Sequence, residues 1–164
     1  MVRMATSSFD GPRQSPDAWP LQSFILLEMA ATIYIVVEGE DPGFDIFVHG
    51  RALARNEDAL GRLAGKLRVR PLLEFFSADQ NAMALVVERE AGMEEWGDYL
   101  SRPQWFSPAD GLETVRALIG FLEDHPVALG SETPSVVLEL REYERVLDKT
   151  AQRDLRWHLA VSFR

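Results

Sequence analysis

Apolar and polar positions divide the chain into an irregular opening stretch followed by a series of punctuated elements. Residues 1–20 are rich in Ser, Pro, Gly and Asp and show no period, so they offer no face to bury and are expected to lack regular structure. The first apolar run, "LLEMAATIYIVVEGED" at residues 26–41, divides at Met29. Beyond it Ile33, Ile35 and Val37 alternate with Thr32, Tyr34 and Val36, the β-branched and aromatic composition of a largely buried strand over 32–38. The Pro-Gly pair of "EGEDPG", residues 38–43, suits the centre of a turn, and "FDIFVHG" then places Phe44, Ile46 and Val48 on one side. A hairpin is expected there, its second strand the more weakly marked.

Helical spacing follows. Asn56 can cap a helix over about 56–67, with Glu57 and Asp58 in its first turn and Leu60, Leu63, Ala64 and Leu67 as its apolar stripe. Pro71 opens a short helical piece, "PLLEFFS". Ser77 with Gln80 makes a capping-box pattern ahead of "NAMALVVERE", whose continuous apolar run over 81–90 reads equally as helix or strand. Residues 107–124 carry the clearest signal: Ser107 at N-cap, Pro108 at N1, Asp110 at N3, a stripe of Leu112, Val115, Ile119 and Leu122, and a stop at His125-Pro126. A further amphipathic helix is expected over 135–151, with Val136, Leu140, Tyr143, Leu147 and Ala151 on one face and alternating charges on the other. "RWHLAVSF" closes the chain as a half-buried strand over 156–163, with Trp157, Leu159, Val161 and Phe163 inward and His158 on the wetter side. Strands at both ends with helices between predict a small α+β domain in which the 32–38 and 156–163 strands share a short sheet packed against the three amphipathic helices.

Composition narrows the class. At 164 residues, 46% of them hydrophobic, the chain fits one domain with a real core, expected over residues 29–164. Leu21–Val37 would span about 26 Å as a helix, short of a hydrocarbon core of ~30 Å, and Glu28 interrupts it. Neither a basic flank nor an uninterrupted apolar stretch near the terminus marks a signal peptide. With Arg outnumbering Lys 15 to 2, as in GC-rich coding sequences, Met29 is an alternative initiator and residues 1–28 are expected to be dispensable. There is no cysteine, so disulfides, thiolate nucleophiles and Cys-ligated zinc are excluded, and cofactor-free cytoplasmic folding is the simplest expectation. A net charge of −9 disfavours nucleic acid and anionic membrane and favours a basic partner.

Three stretches, "MAATIYIVVEGEDPGFDIFVHGRALAR", "WFSPADGLETVRALI" and "RWHLAVSF", together resemble a group of small uncharacterised bacterial proteins that begin near such a strand and end on such a "WHLAV" strand. The resemblance spans residues 29–164. Its motifs are structural in kind, and it carries no functional residue onto this chain.

Candidate chemistry is sparse. "GRLAGKL", residues 61–67, lacks one residue between its glycines and has Leu67 where a phosphate-binding loop needs a hydroxyl, inside a helix instead of after a strand. No metal-ligand motif is present: Glu38, Glu40, Asp41 and Asp45 crowd one turn, without the spacing of a calcium loop. Of the histidines, His125 is explained as a helix-terminal cation, which leaves His49 and His158 as the acid–base candidates an enzyme would have to use. Residues 51–70 hold six basic and two acidic side chains. In one helix running from Arg51, Arg55, Arg62 and Lys66 would share an arc of about 60° able to receive an anion, or would simply be its solvated face. Conversely, "EREAGMEEWGDYLSRPQWF", residues 88–106, interleaves Glu94, Glu95 and Asp98 with Trp96, Tyr99 and Trp105. Acids that steer and aromatics that anchor make a protein-binding surface, unless the rings pack onto the core. The sequence therefore favours a non-catalytic binding module for a basic protein, of inhibitor or immunity-like kind. The alternatives are a small cofactor-free enzyme using a His/carboxylate pair and a homo-oligomeric structural or regulatory module.

Overall fold

The computed structural model of the chain describes residues 32–77 and 103–162. Six elements and two 3-10 turns follow one another: β1 (Thr32–Val37), α1 (Arg51–Arg55), α2 (Glu57–Leu67), a turn at Leu72–Phe75, α3 (Pro108–Asp124), a turn at Gly130–Glu132, α4 (Thr133–Gln152) and β2 (Trp157–Ser162). This is a small α+β domain. The expected extension over 1–28 and the ambiguous segment 81–90 lie outside the described residues.

β1 and β2 pair antiparallel, with Ile33 opposite Val161, Ile35 opposite Leu159 and Val37 opposite Trp157. Because side chains alternate across a strand, these six apolar residues share one face, and all six are buried. The Glu38 N–H continues the ladder to the Arg156 carbonyl at 2.9 Å. The far edge of β2 is also occupied. Phe106 exchanges two backbone hydrogen bonds with Trp157, at 2.8 and 3.1 Å, and the Ser77 N–H reaches the Leu159 carbonyl at 3.0 Å. β2 thus lies between two neighbours, and five of its six residues are buried. The expectation of a half-buried strand with His158 on a wet face is corrected: His158 retains only 4% of its exposure, and Ala160 beside it none.

α3 starts where its cap predicts, Ser107 Oγ accepting the Ala109 N–H at 3.2 Å with Pro108 in the first turn, and stops at His125. Its buried stripe, Leu112, Val115, Leu118, Ile119 and Leu122, meets Val136, Leu140, Tyr143, Val146 and Leu147 of α4. Ala151 of the predicted stripe is exposed and Thr150 is buried in its place. The Thr150 hydroxyl donates to the Val146 carbonyl at 2.7 Å, which lets a polar residue sit in the seam without an unsatisfied group. On the outer side of the helix pair Arg116 reaches Glu144 and Asp148, and Arg141 reaches Glu123, so that face neutralises itself. Trp157 is fully buried; its indole N–H donates to the Ser107 carbonyl at 3.0 Å, and Gly111 leaves room for its ring, since a Cβ there would overlap it.

The expected second strand of the hairpin does not form. The alternation itself holds over 44–50: Phe44 and Ile46 are half-buried and Val48 is buried, while Asp45, Phe47 and His49 point outward. What replaces the ladder is side-chain capture of the backbone. Asp41 and Asp45 each accept the N–H two residues on, at 2.9 Å, and the Gly43 and Asp45 carbonyls take Arg153 and Arg145. One backbone bond to the neighbouring strand survives, Ile33 N–H to Gly50 O at 3.2 Å.

Candidate functional site

The residues singled out in the sequence are scattered. Glu94, Glu95, Trp96, Asp98 and Tyr99 lie outside the described residues. Trp105, at the end of that segment, is half-buried, its ring 4.8 Å from that of His158. His158 is held beneath it, Nδ1 3.1 Å from the Leu159 carbonyl oxygen. His49 is exposed and meets Phe47 edge-on at 4.9 Å, with no carboxylate bonded to it among the described residues. His125 stacks on Phe121 and places Nδ1 2.9 Å from the Phe121 carbonyl oxygen, the helix-end role expected of it.

The basic stripe is broken. The helix interrupts at Asn56, whose side-chain amide donates to the Ala52 carbonyl at 2.8 Å instead of capping α2, so Arg55 and Arg62 belong to different helices. Arg55 forms a two-pronged pair with Glu132, both contacts at 3.0 Å, and Arg62 pairs with Asp58 at 3.2 Å. Lys66 remains exposed on α2. Two of the three cations are thus already paired with carboxylates of this chain; the hydrogen-bonded Arg55 guanidinium holds the Glu132 carboxyl below its ordinary pKa.

Two features that sequence patterns alone did not mark stand out. The first is Phe47, which keeps 69% of its exposure, the most exposed aromatic ring among the described residues. Its backbone is fixed by the Asp45 carboxylate, and Glu40, Asp41 and Asp45 stand exposed on the same connection. The alternation of "FDIFVHG" already assigns Phe47 to the outward side, and that was the available signal.

The second is a cleft between the sheet and the helices. Ile33, Leu159 and Val161 form its floor, Leu60, Leu72 and Leu73 its walls, and Glu57 stands at its edge. The cavity measures about 20 Å³, room for about one or two waters or the tip of a side chain and not for a metabolite. Glu57 is half-buried on the first turn of α2, and its carboxylate hangs beside Gly61, one helical turn on. It forms no hydrogen bond or ion pair with any described residue, and burial, with the like charge of Asp58 next to it, pushes its pKa above the ordinary carboxylate value. No local pattern announces this site, because its walls come from residues as far apart as Ile33 and Val161.

Among the described residues no group of three or more His, Asp or Glu side chains could hold a metal ion, and no helix is long and apolar enough to cross a membrane. Compared with known proteins, the chain matches no family model, no curated protein and no solved structure.

Proposed function

We propose that the protein is a non-catalytic binding module for a basic protein partner. The observation that supports this reading is Phe47, a large exposed ring on an acid-bearing connection, with its backbone N–H bonded to Asp45. An exposed aromatic anchors a complex through the area it loses to water, while surrounding acids raise the encounter rate with a cationic partner. A net charge of −9 acts in the same sense. By the same chemistry Glu94, Glu95, Trp96, Asp98, Tyr99 and Trp105 are further candidates for partner contact. An enzyme would need an acid–base pair in a substrate-sized pocket; His49 bonds no carboxylate among the described residues, and the Glu57 cleft has the volume of a side-chain tip.

The test is capture from the native host with the full chain, followed by binding kinetics on the purified partner. Replacing Glu94, Glu95 and Asp98 together with their amides should slow association at low salt and matter little at 1 M, where a Debye length of ~3 Å removes steering. Phe47→Ser or Trp96→Ala should instead speed dissociation, by about thirtyfold for an anchor worth about 2 kcal/mol. A partner whose binding ignores both sets of substitutions, or no saturable partner at all, would refute the reading.

A further inference from the structure

We propose that the cleft at Glu57 is a socket for the end of a lysine side chain carried by a protein partner. The proposal rests on the reading above that the partner is a basic protein, and it names the chemistry one site would recognise.

The carboxylate is the first reason. Asp58, Glu74, Glu123, Glu132, Glu139 and Glu144 each bond an arginine or a backbone N–H of this chain. Glu57 is half-buried and bonds no described residue. The dipole of its own helix favours a carboxylate in the first turn, but no side chain of that helix bonds it: Arg62 is taken by Asp58, and no ion pair joins Glu57 to Lys66. A carboxylate partly withdrawn from water without a partner is unfavourable in its ionised form, and a cation arriving from outside would relieve that cost.

Shape is the second. The walls beside the carboxylate are Leu53, Leu60, Leu72 and Leu73, a surface for methylenes and not for a hydrated ion. A lysine end has this two-part character, an apolar stem and one compact ammonium. The small volume, about 20 Å³, suits a compact ammonium tip better than the broad planar fork of a guanidinium, which reaches a carboxylate best through two parallel bonds. Gly61 completes the fit. A Cβ at that position would come within 3.7 Å of Glu57 Oε1, so a larger side chain there would close the approach.

The experiment uses the full chain and n-butylammonium, which reproduces the stem and charge of a lysine end. Carbon-13 NMR follows the Glu57 carboxyl and the methyl groups of Leu53, Leu60, Leu72 and Leu73. The expected result is a saturable shift confined to these groups. Glu57→Gln should weaken it about tenfold, the scale of one charge-assisted hydrogen bond, and n-butanol, with the stem and no charge, should bind at least that much more weakly. Gly61→Leu should abolish the shift while leaving the melting temperature unchanged or higher, because leucine favours the helix more than glycine does; this variant keeps the test valid should Glu57→Gln alter the fold. Shifts that never saturate, that spread over the surface, or that survive Glu57→Gln or match those of butanol would overturn the socket. The titration needs no partner, so its failure leaves the Phe47 surface and the capture experiment standing. A bound amine with no protein partner would instead retain the socket and remove the binding-module reading.

Discussion

Glu139 and Glu57 are both half-buried carboxylates beside the same stretch of chain, and the fold treats them in opposite ways. Glu139 projects from α4 onto the start of α1, where Oε1 accepts the Ala52 N–H at 3.0 Å and Oε2 the Leu53 N–H at 2.8 Å. Next to it the Tyr143 hydroxyl donates to the Ile33 carbonyl, and Gly50 donates to Thr32 Oγ1 at 3.0 Å while accepting from Ile33. These bonds tie β1, α1 and α4 together. A few residues on, Glu57 has none among the described residues. The junction shows what a carboxylate does when it holds the fold, and the contrast sets Glu57 apart as a half-buried carboxylate that no described residue bonds.

The contrast can be broken at its tight end first. Gly50→Ala should be the most damaging change, because a Cβ would overlap both the Ile33 carbonyl oxygen and the Tyr143 hydroxyl; a loss of about 3 kcal/mol in urea unfolding is expected. A variant as stable as the parent would mean that the junction is loosely packed. Glu139→Ala comes next, with about 2 kcal/mol lost because two N–H groups at the start of α1 lose their acceptor. Ser107→Ala calibrates the scale. It removes an ordinary cap with one N–H to serve, and thermal unfolding should register about 1 kcal/mol.

Glu57→Gln should have the smallest effect and the opposite sign. Its folded-state pKa is raised, so the protonated form stabilises the fold below the unfolded-state value, and that contribution is lost as pH rises through the folded one. The amide variant should therefore match the parent near pH 3 and melt slightly higher at pH 7. Glu38 provides the reverse case on the exposed rim. Its hydrogen-bonded pair with Arg156, at 2.6 and 3.1 Å, lowers its pKa, so its contribution is present above the unfolded value and lost as pH falls through the folded one. Glu38→Gln should melt lower than the parent at pH 7 and converge with it in acid. Parallel pH profiles for the two variants would remove the distinction between a carboxylate paired with arginine and one that burial disfavours.

How much of this was legible in the sequence depends on where the determining contacts lie. α3 is readable because its signals are local: a capping serine, a proline in the first turn and apolar residues at helical spacing. The two strands are readable for the same reason, and with helices between them their pairing follows. The stretch 44–50 shows the limit. Its period is that of a strand, yet its backbone is captured by Asp45 nearby and by Arg145 and Arg153 a hundred residues away. His158 shows another, since alternation along one strand says nothing about what covers its second face. The cleft was least legible, because Glu57 looks in sequence like any acid in a first helical turn and only the folded chain brings Leu72, Leu159 and Val161 against it.

The pairing of β1 with β2 also has a kinetic side. Thr32 meets Ser162 and Val37 meets Trp157, so every rung of this ladder closes a loop of more than a hundred residues, whose entropy must be lost before any rung repays it. The α3–α4 hairpin, by contrast, needs only the short connection from His125 to Glu132. During synthesis β1 emerges early and stays without its partner until β2 has left the ribosome, and through that interval its buried face, Ile33, Ile35 and Val37, has no sheet to join. Folding is thus expected to run from the helical hairpin toward the sheet, with the ladder as the step that completes the domain.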